Sequence, residues 1–275
     1  MNLKDRTFAS KQELFAFLHE NKADLLEMKK ASKKTFVQTP SLIVADTPLA
    51  TATKALQTSA DKDTDTVIKR TIIGNTYNWL DSHGDVHVGS TFSKSIGERV
   101  GKIWHLHDHE YKITAKVGTP QKVYEQSVRW ADLGVNRKGN TTVLMMDSEI
   151  KKSMNDKIFA EYKNEQIDQH SVGMYYVKID LAMNSDDPDH AQYKETYDKY
   201  FDLIGNKEEV EQKGYFYAVK EGKLIEISAV LEGSNSLTPT LGVKGIEPSQ
   251  DTQSNEPTEV TQEQKKVGKG STAFY

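Results

Sequence analysis

Short runs of alternating apolar and β-branched residues, set between turn signals, constrain most strongly what this chain can fold into. Residues 66–73 carry Val67, Ile68, Ile72 and Ile73 and read as a strand, because such side chains suit a pleated, half-buried surface. Residues 102–109, 113–117, 122–128 and 171–181 read the same way, residues 86–88 follow the Gly84 turn, and residues 141–146 are a short apolar run. Residues 214–219 and 224–231 read as two strands joined through Lys220-Glu221-Gly222, a hairpin signal. Helical spacing is confined to fewer stretches. Residues 10–33 place Leu14, Phe15, Phe17, Leu18, Leu25 and Leu26 at helical intervals behind a capping Ser10. Residues 92–100, 152–166 and 192–204 complete the set, the last with an aromatic stripe (Tyr193, Tyr197, Phe201) that reads as core. Strands joined by hairpins and interleaved with helices predict an α+β fold. The expected architecture is a mixed, largely antiparallel β-barrel with flanking helices.

Composition divides the chain. Residues 1–38 read as an N-terminal helical arm, either a surface lead-in or a docking helix for a partner. Residues 39–65, rich in Thr, Ala, Ser and Asp with Pro40 and Pro48, read as a linker. Residues 66–241 form the expected main domain. Residues 242–275 hold almost no large apolar side chain and read as a flexible tail. Overall, 36% of the 275 residues are apolar, which fits a chain only part of which builds a core. A net charge of −4 gives no reason to expect nucleic acid or an anionic membrane as partner. No apolar run reaches membrane-spanning length, and the polar start points to a cytosolic protein. With no cysteine, disulfides, thiolate metal sites and a cysteine nucleophile are excluded.

Three segments carry chemistry. Ser171, in Gln169-His170-Ser171-Val172-Gly173-Met174, opens a strand, and Gly173 beside it lets amides or another backbone come close. The segment Trp104-His105-Leu106-His107-Asp108-His109 places His105, His107 and His109 on one face if it is a strand. Alternate histidines can bind zinc, or one of them can serve as a base. Glu226 sits in the apolar run Leu224-Ile225-Glu226-Ile227-Ser228-Ala229-Val230, where a buried acid needs a partner. Asp81 and Asp85, around Gly84, read as turn formers. A serine, a histidine and a carboxylate from separate segments are the parts of a nucleophilic hydrolase.

Taken together, four pieces resemble the prohead maturation proteases of tailed bacteriophages, a group related in fold to herpesvirus assembly proteases. They are His83-Gly84-Asp85-Val86 with Gly89 and Phe92, Asp108-His109 leading to Val117-Gly118, His170-Ser171-Val172-Gly173-Met174, and the Glu226 strand with Asn235 after it. The resemblance covers about residues 66–241. It implies a serine endopeptidase that cleaves the major capsid protein and scaffold, and itself, inside an assembling prohead in the host cytoplasm. It also implies Ser171 as nucleophile, His109 as base with His107 as the alternative, and Glu226 orienting the imidazole. Backbone amides at the turn around Gly173 or in the loop Gly134–Gly139 are the expected oxyanion donors. A homodimer is compatible with the herpesvirus relationship. This reading requires no cofactor and no metal. Two other readings stay open: a metal-dependent hydrolase using His105, His107 and His109, and an inactive capsid-assembly or scaffold component.

Overall fold

The computed structural model of the protein describes residues 6–34 and 63–241. The expected linker, apart from 63–65, and the expected tail lie outside the described residues.

The arm forms two helices rather than one, α1 (Lys11–Glu20) and α2 (Lys22–Ala31). Ser10 caps α1 as expected: its backbone is extended, and its hydroxyl accepts a hydrogen bond from the Glu13 amide. Asn21 interrupts the helical path and serves as the C-cap of α1 and the N-cap of α2. Phe15, Phe17, Leu18 and Leu25 are buried in the largest core cluster. At roughly 1.5–3 kcal/mol for each large apolar side chain removed from water, this burial fixes the arm to the body. The apolar stripe is covered by the protein's own core.

The body is an eight-stranded sheet. β1 (Val67–Thr76) pairs antiparallel with β5 (Asn140–Lys151), and β5 with β4 (Lys116–Arg129). β4 pairs with β3 (Trp104–His107). The hub is β7 (Tyr215–Ala229). Along one edge it takes β3 and then β2 (Asp85–His87), both in parallel. Along the other edge it takes the long antiparallel β6 (His170–Met183). A two-residue β8 (Thr240–Leu241) closes the order on the far side of β1. Four further helices, α3 (Ser93–Glu98), α4 (Asp156–Lys163), α5 (Ala191–Phe201) and α6 (Lys207–Lys213), flank the sheet.

The fold is therefore α+β with a mixed sheet, but it is not a barrel. Closure needs the end strands to pair. Instead β1 ends on the short β8, and beyond β7 the outer edge of β6 meets only a single bridge from Lys34 among the described residues. The sheet nonetheless coils around its contents. Ile68 and Ile72 of β1, Leu144 and Ile150 of β5, Val172 of β6 and Ile227 of β7 share one cluster. Gly74 permits that approach, since a Cβ there would stand 2.7 Å from the Ile227 side chain.

The expected hairpin at Lys220-Glu221-Gly222 is also absent, because β7 runs straight through it. The β6 ladder absorbs the irregularity as register shifts near Met174 and Lys178. Gly222 is there for contact, not for a turn: a Cβ would lie 2.8 Å from the Phe92 ring and 3.1 Å from Met174 Sδ.

Candidate active site

The register of β6 on β7 sets the site. Ser171 is the Cα partner of Ser228, and Gly173 the partner of Glu226. Directly opposed residues of an antiparallel pair project to the same face, so Ser171, Glu226 and Ser228 share one side of the sheet. Glu226 is fully buried and Ser171 is 3% exposed.

β3 delivers the histidine to this same face by ending early. The strand stops at His107, and Asp108 and His109 adopt left-handed backbones with φ of 50° and 55°. The Asp108 amide donates to Ala229 O at 2.9 Å, and the His109 amide donates to Ser228 Oγ at 3.2 Å. The turn swings the His109 ring over β7, where Nδ1 lies 2.8 Å from Glu226 Oε1. A hydrogen bond to a carboxylate places the proton on Nδ1 and leaves Nε2 with its lone pair. Nε2 is buried and has no hydrogen-bond partner among the described residues. Ser228 Oγ donates to Glu226 Oε2 at 2.6 Å. Burial pushes the Glu226 carboxyl up, but the bonds from His109 and Ser228 and the charge of Lys33 outweigh it and hold the group below its ordinary value.

Gly173 has a role other than the expected oxyanion turn. It lies inside β6, and a Cβ at this position would fall on Glu226 Oε1 and 2.7 Å from Lys33 Cε. The glycine is the space that the buried carboxylate fills. The loop containing Gly134 and Gly139 is held elsewhere, as Arg137 donates to the carbonyls of Asp202 and Ile204 after α5.

The three histidines of the 105–109 segment are not gathered on one face. His105 pairs with Ile227, one residue out of phase with Glu226, and points into the opposite side. There it joins a buried chain: Ser148 Oγ to His105 Nδ1 at 2.9 Å, His105 Nε2 to Tyr162 Oη at 3.0 Å, Tyr162 Oη to His170 Nε2 at 2.8 Å, and His170 Nδ1 to Thr238 O at 3.0 Å. The carbonyl end fixes every proton, so each hydroxyl donates onward and both imidazoles are neutral. Burial lowers the pKa of His105 to about 3 and of His170 to about 4. His107, half-buried, pairs with the exposed Asp108. Of the two candidate bases, His109 is the one that meets Glu226.

Among the described residues, ligand atoms close enough to share a metal ion occur at Asp81, His83 and Asp85, not in the histidine segment. That group is filled from within. Lys34, itself buried, places Nζ 2.5 Å from Asp81 and 2.8 Å from Asp85, and Lys29 reaches Asp85 at 2.6 Å. Tyr176 donates to Asp85 at 2.5 Å. Burial opposes the charge on Lys34, but Asp81 and Asp85 outweigh it and raise its pKa. The turn role of Asp81 holds, since its carboxylate accepts from the amides of His83 and Asp85.

One further group went unpredicted. Lys33 Nζ lies 3.0 Å from Glu226 Oε1, sharing that oxygen with His109. A lysine-rich stretch reads as a solvated face, and nothing local in the sequence reveals a carboxylate some 190 positions away. Beside the site, Trp104, Leu106, Tyr111, Lys112, Ile113 and Lys116 line a cleft of about 170 Å³. Trp104 and Leu106 pair with Glu226 and Ser228, which puts the cleft on the site's face. No protein-family model, curated protein or solved structure matches the chain, so a reading of this site stands on its geometry and on the residues that build it.

Proposed function

We propose that the protein is a serine endopeptidase with Ser171 as nucleophile, His109 as general base and Glu226 as the carboxylate that orients it. The observation that carries this reading is the His109–Glu226 bond: Nδ1 is committed to the acid, and Nε2 is left buried with a free lone pair on the face that holds Ser171. A buried polar atom without a partner costs on the order of 1–3 kcal/mol, which a reacting hydroxyl would relieve.

In the proposed reaction Ser171 Oγ attacks the peptide carbonyl as its proton passes to His109 Nε2. Glu226 stabilises the imidazolium. The imidazolium then gives the proton to the departing amine as the C–N bond breaks, leaving an acyl ester on Ser171. Water attacks that ester, His109 takes its proton and returns it to Ser171 Oγ, and the carboxylic acid leaves. The cleft beside Trp104 and Leu106, on the same face, is read as the pocket for a substrate side chain. The motif order that resembles prohead proteases extends the proposal to substrate and place: capsid and scaffold proteins, and the chain itself, cut inside an assembling prohead.

Intact-mass measurement of freshly made wild type beside Ser171→Ala, each with assembled capsid protein, tests the reading. Cleavage by wild type alone is the expected result. Equal cleavage by both would remove Ser171 from the mechanism.

A further inference from the structure

The arm does more than pack. After α2 the chain turns extended at Ser32, with φ −104° and ψ 144°. Lys34 then forms an antiparallel bridge with Met174: its amide donates to Met174 O at 2.8 Å, and its carbonyl accepts from the Met174 amide at 3.3 Å. This is a strand's hydrogen-bonding pattern laid on the outer edge of β6, the strand that begins with the candidate nucleophile.

Side-chain parity agrees. Lys34 shares the face of Met174 and enters the Asp81–Asp85 pair, while Lys33, one residue earlier, projects to the face of Gly173 and Glu226. There its ammonium takes Glu226 Oε1, the same oxygen that holds His109 Nδ1. Its Cε lies where a Cβ of Gly173 would point, and its Nζ stands 5.3 Å from the centre of the Tyr111 ring that lines the neighbouring cleft. A peptide that adds as a strand to an exposed sheet edge uses these backbone groups, so a peptide added to this edge would compete with the arm for the Met174 amide and carbonyl.

We infer that the segment Ser32–Lys34 is an intramolecular inhibitor of the site: it occupies the edge of β6 that an extended substrate would use, while Lys33 shares the Glu226 oxygen that holds His109. This rests on the serine endopeptidase reading. The buried pairing of Lys34 with Asp81 and Asp85, reinforced by Lys29, is the latch. Activation therefore consists of an incoming extended peptide, such as a capsid-protein strand, displacing the arm from the β6 edge. The Lys33 ammonium and the His109 ring share one carboxylate oxygen, so removing the Lys33 charge leaves that oxygen to the imidazolium formed in the reaction without adding any contact.

The test is the rate at which full-length protein is labelled at Ser171 by a small fluorophosphonate, with the labelled residue identified by peptide mass. Lys33→Met keeps the aliphatic stem and removes the charge, and is expected to label at least about tenfold faster than wild type. Lys33→Arg, which keeps the charge, should label at the wild-type rate. Lys33→Gln replaces the Met variant if that one does not melt cooperatively. Labelling of the neutral variant at or below the wild-type rate, with Ser171 labelled in both, would overturn the inhibitory role and leave the endopeptidase reading standing. Absence of Ser171 labelling in every variant would overturn both.

Discussion

The two sides of the β3–β7–β6 layer hold two polar constructions built from neighbouring residues. On one side Ser148, His105, Tyr162, His170 and Thr238 form a chain in which every ring nitrogen is paired. On the other, His109, Glu226 and Ser228 form an arrangement in which one ring nitrogen is left open, with Ser171 on the same face of the sheet. Ser171 and His170 are consecutive, as are Glu226 and Ile227, the latter facing His105. The alternation of a strand separates them. The closed chain acts as structure: its protons are fixed, its imidazoles stay neutral, and it has nothing to give a substrate. The open arrangement combines an anion, a tautomer set by that anion and an unused lone pair. Burial and hydrogen-bonding chemistry are alike on both sides. What distinguishes the candidate active site is incompleteness.

The sharpest test of that contrast is Glu226→Gln. The amide keeps the volume but lets Nδ1 lose its carboxylate partner, and turnover should fall on the order of 10⁴-fold with the fold retained, as read by cleavage rate beside a thermal melt. Gly173→Ala comes next, because the new methyl needs the place of Glu226 Oε1. It is expected to cost about 100-fold in Ser171 labelling, since a displacement of about 1 Å at a catalytic group has that scale of effect. An unchanged rate would mean that the carboxylate is not held where the mechanism needs it.

Tyr162→Phe attacks the other side. It strands a nitrogen on both His105 and His170, and should destabilise the protein by about 1–3 kcal/mol per orphaned group while Ser171 remains labelled. A drop in labelling with unchanged melting temperature would break the division between the two faces.

The last effect is in acid. His105 and His170 take up protons only near pH 3 and 4 when folded, whereas unfolded imidazoles do so from about pH 6.5. Below that value the unfolded chain binds more protons. Stability is therefore complete above about pH 6.5 and falls as the pH drops towards 4, by on the order of 1 kcal/mol per unit for each histidine. Urea melts at stepped pH would show this slope, and Tyr162→Phe should alter it.

Much of this was legible in the chain. The β-branched runs gave the strands, Ser10 gave a cap, and an acid inside an apolar strand announced that Glu226 needed a partner. What stayed hidden was nonlocal or depended on a single dihedral angle. His105, His107 and His109 alternate in sequence, yet two left-handed residues at Asp108 and His109 carry the last ring to the opposite face. Lys220-Glu221-Gly222 has turn chemistry, yet β6 supplies a continuous partner and the backbone goes straight. Closure of the sheet is likewise not written in any strand, since it depends on which edges find each other. Lys33 and Lys34 look like surface charge until the fold brings Glu226, Asp81 and Asp85 to them.

The bridge from Lys34 to Met174 has a consequence for solubility. β6 is the margin of the sheet, and beyond the bridge it exposes Tyr175 and Val177 to solvent at 40% and 42%. A bare apolar strand edge invites identical chains to stack on it. Lys178, paired with Glu221 at 2.6 Å, sets charge beside that stretch. The N-terminal arm, synthesised before the strand it will cover, is available to occupy the edge as soon as β6 folds. The same backbone pairing thus shields part of that edge from other copies of the chain.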